Sequence, residues 1–295
     1  MKKTSSQKDE RVVLVTGATT GIGLALVKKL RGASFRVVAT ARSSSLSRFD
    51  AQGIRENERF LIRALDVTRL DEHGAVINEI YQRWGSVDVL VNNAGIAYRA
   101  VLEEMYPAGE KIQFATNYFG PMNLIRLVLP LMREKRSGHI INVSSVGGMM
   151  AMPTMGAYSA SKFALEGASE ALWYELRPWG IRVSLIQPGF VNSNSFRNIR
   201  LTEKTRRTIQ HEEYPYHAYY AAMAPFIERM MNLSPVTPDK VAAKIVKTIH
   251  QRNPRLRIPA TPDAWLFYWL RRLLPRRLYH YVLYRGLPNI HNWVK

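Results

Sequence analysis

The stretch RVVLVTGATTGIG (residues 11–23) runs from consecutive apolar residues straight into a turn marked by three glycines. Val12, Val13, Leu14 and Val15 leave no polar alternation, which is the pattern of a strand covered on both faces. Gly17, Gly21 and Gly23 permit a tight turn and close backbone approach, and residues 21–31 carry helical periodicity. A strand, a glycine turn and a helix in that order make an anion cradle, because the helix offers unpaired amides and the positive end of its dipole. The spacing is G-x-x-x-G-x-G rather than the G-x-G-x-x-G of the commonest dinucleotide turn.

The alternation continues along the chain. Strands are predicted at 35–40, 59–65, 87–92, 139–144, 181–187 and 254–259, and helices at 70–84, 109–134 and 157–179. The fold class is therefore α/β, a doubly wound parallel sheet of the Rossmann type in one domain over 11–260. Residues 1–10 read as a loose charged tail. The insertion 192–235 reads as a substrate lid, because long segments inside compact domains are often functional. Residues 261–295 form a separate basic segment, with nine cations from residue 252 onward against Asp263 alone.

Composition excludes several function classes. Cysteine is absent, which removes disulfides, thiolate metal sites and cysteine nucleophiles. The seven histidines show no i, i+4 pair, so no metal is expected. No run reaches the roughly 18 apolar residues of a membrane span, and the charged start lacks a signal-peptide core. A cytoplasmic protein is expected. The net charge of +19 favours anionic partners, among them a phosphorylated cofactor or a membrane surface. No nucleic-acid-binding module is recognisable, and no nucleic-acid partner is expected.

Where the second strand ends, an acidic residue would grip the ribose of NAD. Here Arg42, Ser43 and Ser44 stand instead, a guanidinium and hydroxyls suited to a 2′-phosphate, so the expected cofactor is NADP(H).

Taken together, TGATTGIG (16–23), LDV (65–67), NNAG (92–95), TNYFG (116–120), INVSSVGG (141–148), YSASK (158–162) and PGFVNS (188–193) resemble the short-chain dehydrogenase/reductase family, over residues 11–193 and more weakly to 260. The chemistry of YSASK can also be argued from its residues. Hydride transfer to a ketone leaves an oxyanion that needs a proton. Tyr158 can supply it, and Lys162, one helical turn on, can make the phenol more acidic.

The resemblance implies further roles. Lys162 would also bind the nicotinamide ribose. Ser145, thirteen residues before Tyr158, would hold the substrate oxygen, and Asn117 would support a water-linked proton path. Thr19, Thr20 and Ile22 would line the cofactor with the three glycines of their turn, Asp66 and Val67 would flank the adenine, and Asn93, Ala94 and Gly95 would line the cleft. Pro188, Gly189, Val191 and Ser193 would lie beside the nicotinamide, although the family often carries threonine where Ser193 stands. Ser144 reads as structural, His139 as a surface or sheet-edge residue, and Trp173 and Trp179 as packing residues.

The substrate is expected to be hydrophobic, in the manner of a steroid, a retinoid or another lipid. Met149, Met150, Met152 and Met155 fill the link between Ser145 and Tyr158, and flexible thioethers suit either a bulky apolar ligand or a core. The lid adds the aromatic run YPYHAYYAAMAPF (214–226). In the tail, Leu266, Trp269, Leu270, Leu273 and Leu274 form a stripe beside Arg271, Arg272, Arg276 and Arg277. That pattern fits a membrane-surface helix or a helix docked on its own protein. A reductase of a long-chain 3-keto lipid or a polar ketone, and a non-catalytic dinucleotide-binding protein, are the rival readings. A homodimer through helices 109–134 and 157–179 is expected from the resemblance.

Overall fold

The computed structural model describes residues 10–194 and 198–294, so the expected N-terminal tail lies outside the described residues except for Glu10, as do three residues of the lid. In chain order the elements begin with Val12–Val15 (β1), Gly21–Arg31 (α1), Arg36–Ala41 (β2), Ser47–Asp50 (α2), Phe60–Ala64 (β3), His73–Trp84 (α3) and Val89–Asn92 (β4). Next come Tyr98–Arg99 (β5), Pro107–Phe114 (α4), Gly120–Glu134 (α5), Gly138–Val143 (β6), Gly156–Leu176 (α6) and Ile181–Gln187 (β7). The last are Arg200–Leu201 (β8), Glu203–Gln210 (α7), His217–Leu233 (α8), Pro238–His250 (α9), Arg257–Pro259 (β9), Pro262–Leu273 (α10) and Arg276–Arg285 (α11).

Seven strands form one parallel sheet in the order β3-β2-β1-β4-β6-β7-β9. The register pairs Val13 with Val37 on one side and Val89 on the other, and the chain reverses its direction of winding at β1. The crevice outside the strand ends at such a reversal is where open α/β sheets bind ligands. One face packs Leu26, Leu30, Val241 and Ile245 of α1 and α9 against Val13, Val37 and Val89. The other packs Ile77, Ile80, Ile125, Val128 and Leu165 of α3, α5 and α6 against Leu14, Leu90 and Ile140. The uninterrupted apolar strands of the sequence thus have cover on both sides.

Three expectations change. His139 is on the central strand β6 with no exposed surface, where its Nε2 lies 3.0 Å from Ser184 Oγ on β7. It is neither a surface nor an edge residue. Burial drives its pKa down to about 3, helped by Arg182 and Arg11, so the ring is neutral. The helix expected at 109–134 is interrupted by a π turn at Ala115–Phe119, which carries Asn117. The insertion 192–235 holds two helices, α7 and α8, and the strand Arg200–Leu201, which pairs in parallel with Tyr98–Arg99. The basic tail breaks at Pro275 into α10 and α11, because proline donates no amide to the preceding turn.

Trp173 is half-buried under the guanidinium of Arg177. Trp179 is 40% exposed, with Arg133 and Arg136 against its ring.

Candidate active site

The glycine turn is held by its neighbours at the head of the sheet. Thr16 Oγ1 accepts from the amides of Asn93 and Ala94, each at 3.0 Å, and Asn93 Nδ2 donates to the carbonyls of Thr16 and Gly17 at 2.9 and 3.1 Å. Gly17 and Gly21 have φ of +66° and +53°, where a side chain would be strained, and a Cβ on Gly23 would overlap the Gly17 carbonyl and Asn93 Nδ2. Thr20 precedes α1 in extended conformation and makes no side-chain cap, so the first amides of α1 have no side-chain acceptor from it. Thr19 is buried and Ile22 half-buried against the core.

Arg42, Ser43 and Ser44 are exposed where β2 ends. Asp66 Oδ1 accepts from the amide and hydroxyl of Thr68 at 2.9 and 2.8 Å, a turn that presents Asp66 and Val67 at the end of β3. Val67 is buried, and its carbonyl leaves Gly120 no room for a side chain. The close backbone approach in the first turn, the amides of α1 and the exposed guanidinium fit a phosphorylated dinucleotide.

The second group gathers at the carboxyl ends of β4, β6 and β7. Ser145 follows β6, and its Oγ accepts from Gly147 N at 3.0 Å. Tyr158 is on the first turn of α6, half-buried and hydrogen-bonded with Ser145. Lys162, one turn later, is buried and donates to the Val143 carbonyl at 2.9 Å, with Nζ 6.0 Å from the centre of the Tyr158 ring. Burial lowers the Lys162 pKa to about 8, and nearby Glu166 opposes the shift. Burial pushes the Tyr158 phenol above the ordinary tyrosine range, with the Ser145 bond pulling the other way. The acidified phenol suggested by the sequence is therefore not the state of this geometry. Both groups are desolvated, and the ammonium directs one of its hydrogen bonds at a carbonyl.

Asn117 is locked by three bonds. Its Oδ1 accepts from Ile96 N at 2.9 Å, and its Nδ2 donates to Ile96 O and Ser161 Oγ, both at 3.0 Å. A Cβ on Gly95 would lie 3.3 Å from Asn117 Oδ1 and 3.7 Å from Lys162 Nζ, so both groups border one small space beside Gly95. π turns of the kind that carries Asn117 are frequent at functional sites.

After β7 the chain turns through Pro188, Gly189, Val191 and Ser193. Pro188 and Val191 are buried, and the Pro188 carbonyl accepts from Val146 N at 2.7 Å, tying this turn to the Ser145 loop. Ser144, also buried, donates its amide to Ile186.

An apolar cap covers this side. Met155, Ala222, Met223, Ile227 and Trp293 pack together, with Met152, Tyr158, Phe190 and Leu287 against them. Met149 and Met150 face α10 instead, packed with Val146 and Ala264, and Arg271 of α10 donates to the Met149 carbonyl. Of the methionines singled out in the sequence, Met152 and Met155 are the two beside Tyr158. A groove of about 510 Å³ lined by Pro153, Tyr219, Leu287 and Trp293 opens at the edge of the cap.

Sequence reasoning missed four contributors. Glu166 is buried and accepts from Gln187 Nε2 at 2.7 Å and Arg257 Nε at 3.0 Å, and its i+4 spacing from Lys162 was the available signal. Glu104 anchors the 192–235 insertion by accepting from Tyr220 at 2.6 Å and Thr208 at 2.5 Å. Thr261 and Asp263 reach the 188–190 turn, which nothing local in the sequence reveals.

Comparison with known proteins agrees with this arrangement. The profile of the short chain dehydrogenase family matches residues 11–204. A 3-ketodihydrosphingosine reductase from Bacteroides thetaiotaomicron is 34% identical over 92% of this chain and 96% of its own. Retinol dehydrogenase 8 of Bos taurus is 34% identical over 84% and 80% of the two chains. A short-chain dehydrogenase structure from Streptomyces avermitilis superposes with a TM-score of 0.78 at 32% identity, over 94% of this chain and 99% of that one. One from Burkholderia phymatum in complex with NAD gives 0.74 at 25% identity over 91% and 95%. A metagenomic oxidoreductase in complex with NADP gives 0.64 at 28% identity over 85% and 97%. With its parallel sheet, glycine turn and Ser145, Tyr158 and Lys162 gathered at the strand ends, the chain belongs to the short-chain dehydrogenase/reductase family of oxidoreductases that act on CH–OH and C=O groups.

Proposed function

We propose that this protein is an NADP(H)-dependent oxidoreductase that reduces the carbonyl of a hydrophobic substrate. The observation that carries the reading is the seat of Tyr158, which meets Ser145 on one side and the apolar cap of Met152, Met155 and Phe190 on the other. A steroid-, retinoid- or lipid-like molecule suits such a wall. Among these, a long-chain 3-keto lipid is supported by the Bacteroides reductase, whose sequence is matched over 96% of its length. Arg42, Ser43 and Ser44 favour NADP(H) through the charge and hydroxyls at the end of β2.

When bound, the nicotinamide supplies the hydride. Gly17, Thr19, Thr20, Gly21, Ile22 and Gly23 would hold the dinucleotide phosphates, Asp66 and Val67 would flank the adenine, and Asn93 to Gly95 with Pro188, Gly189, Val191 and Ser193 would line the remaining cleft. Ser145 receives the Gly147 amide on its oxygen, which leaves its hydroxyl hydrogen for the substrate oxygen. Tyr158 would give its proton to the developing alkoxide and Lys162 would return one to it, with Asn117 supporting the proton path beside Gly95.

Residues 192–235 serve as the lid. The tail makes peripheral contact with a membrane through the outer face of α10, where Trp265, Leu266, Trp269 and Leu273 are 40–72% exposed. The protein is cytoplasmic and pairs through α4 to α6, where Phe119 and Tyr174 are 51% and 62% exposed. Among the described residues, no helix is long and apolar enough to cross a membrane.

The test is a panel of ketones with NADPH. Long-chain 3-keto lipids, retinoids or steroids should turn over, and Tyr158→Phe should lower the rate about 10³-fold. Turnover of small polar ketones alone, or an unchanged Tyr158→Phe rate, removes the reading.

A further inference from the structure

The turn after β7 is splinted on every side, and two of the splints come from the tail. The Gln187 carbonyl accepts from Ala260 N at 2.8 Å, continuing the β7–β9 pairing one residue beyond the sheet. The Pro188 carbonyl accepts from Val146 N at 2.7 Å, the Phe190 carbonyl from Ser234 Oγ at 2.6 Å, and Asn192 N donates to the Val236 carbonyl at 2.8 Å. The two amides between these points go to the first turn of α10. Gly189 N donates to Thr261 Oγ1 at 2.9 Å, and Phe190 N donates to Asp263 Oδ2 at 3.0 Å.

Thr261 is thus shared. The same oxygen that accepts from Gly189 caps α10 by accepting from Ala264 N at 3.4 Å, so forming the helix and fixing the turn are one event. Asp263 has a related double position. It stands in the first turn of α10, where an anion is favoured, and its carboxylate fills the space over Gly189 so completely that a Cβ there would overlap it. Gly189 does not have a positive φ. Its need for glycine is this approach by the tail, not backbone conformation.

We infer that Thr261 and Asp263 are positioning residues for the nicotinamide side of the cofactor site. They hold the Gly189–Phe190 amides, and through the Val146–Pro188 bond the Ser145 loop, in the arrangement that hydride transfer needs. A short turn left to itself carries backbone freedom that binding must remove. Here the tail removes it beforehand, and the basic segment becomes a part of the reaction site that does not touch substrate. The inference rests on the reading of 188–193 as lining the cofactor cleft.

The experiment uses the full chain and NADPH alone as probe. Dissociation constants come from NADPH fluorescence, and hydrogen exchange follows the amides of 189 and 190. Thr261→Val with Asp263→Leu should speed exchange at both amides by 100-fold or more, weaken NADPH about tenfold, and lower kcat more than it raises KM for the ketone. Thr261→Ser with Asp263→Asn keeps an acceptor at each place and should restore the affinity, also covering the case in which the first pair fails to fold. Fast exchange with unchanged NADPH affinity and unchanged kcat would overturn the inference. Wild-type protein that binds no NADPH would instead overturn the functional reading on which it stands.

Discussion

Two glycine turns sit at the carboxyl ends of parallel strands in this molecule, one after β1 and one after β7, and they are held by different means. Gly17 is fixed by Thr16 and Asn93, which belong to the heads of adjacent strands. Gly189 is fixed by Thr261 and Asp263, which lie beyond the last strand. At the first turn a Cβ on Gly23 meets main chain and cannot be accommodated. At the second, a Cβ on Gly189 meets only side chains, the Asp263 carboxylate first and Thr261 Oγ1 behind it, which substitution can remove. One turn is therefore built by the sheet, and the other is completed by an appendage.

The widest separation between them should come from substituting the glycines. Gly23→Ala should cost roughly 3 kcal/mol, because the overlapped Gly17 carbonyl cannot rotate away, and Asn93→Ala should relieve only part of it. Gly189→Ala should cost about 1–3 kcal/mol alone and clearly less when Asp263→Gly is already present, the remainder being the approach of the new Cβ to Thr261 Oγ1 at 2.8 Å. Urea denaturation of the four single and paired variants measures this. Equal relief at both turns would erase the distinction.

A smaller effect tests the sheet itself. His139 is buried and neutral with a folded pKa of about 3 against 6.5 unfolded. The unfolded chain therefore binds the extra proton as pH falls below 6.5, and stability drops in that direction. The loss from this one ring should reach roughly 2 kcal/mol by pH 5. His139→Gln should flatten the slope of unfolding free energy between pH 6.5 and 5. A slope unchanged by the substitution would mean that other groups govern acid sensitivity.

The same contrast explains what could be read in advance. The sequence places β7 at 181–187 and α1 at 21–31, where the structure has them, because a two-sided strand and an amphipathic helix leave periodic marks. His139 was misread because its partner, Ser184, lies on a neighbouring strand, and cross-strand pairing leaves no local mark. Helix α7 was hidden for a different reason. Its buried positions are Thr205 and Thr208, facing Tyr220 and Glu104, so it packs through hydroxyls rather than an apolar stripe. In α10 every position from Ala264 to Leu270 is apolar or aromatic, which left its inner face undetermined. The inner side turned out to be Ala264, Phe267 and Tyr268, not the Leu266 to Leu274 stripe. Of the candidate site, the residues drawn from strand ends were legible, and those supplied by the tail were not.

Cofactor preference separates the end of β2 from the turn after β7. Arg42→Asp should shift the ratio of kcat/KM for NADPH over NADH by about tenfold or more toward NADH, because a charge-assisted bond to phosphate is exchanged for repulsion. Thr261→Val should weaken both cofactors alike, since it acts at the turn common to them. A preference that moves with Thr261 and not with Arg42 would invert the assignment of the two ends.

The smallest expected change in stability lies on the outer face of α10. Ala264 has no exposed surface, whereas Trp269 is 44% and Leu273 72% exposed on the opposite side. Side chains that remain in water contribute little to folding, so Trp269→Ser with Leu273→Ser should alter the unfolding free energy by about 0.5 kcal/mol or less. The same pair should markedly reduce co-sedimentation with vesicles containing anionic lipid. Apolar insertion and the charge of Arg271, Arg272, Arg276 and Arg277 act together there, and added salt should weaken what remains. A large loss of stability with a shift from dimer to monomer would show that a second copy covers this face, and the tail would then serve only the protein's own assembly.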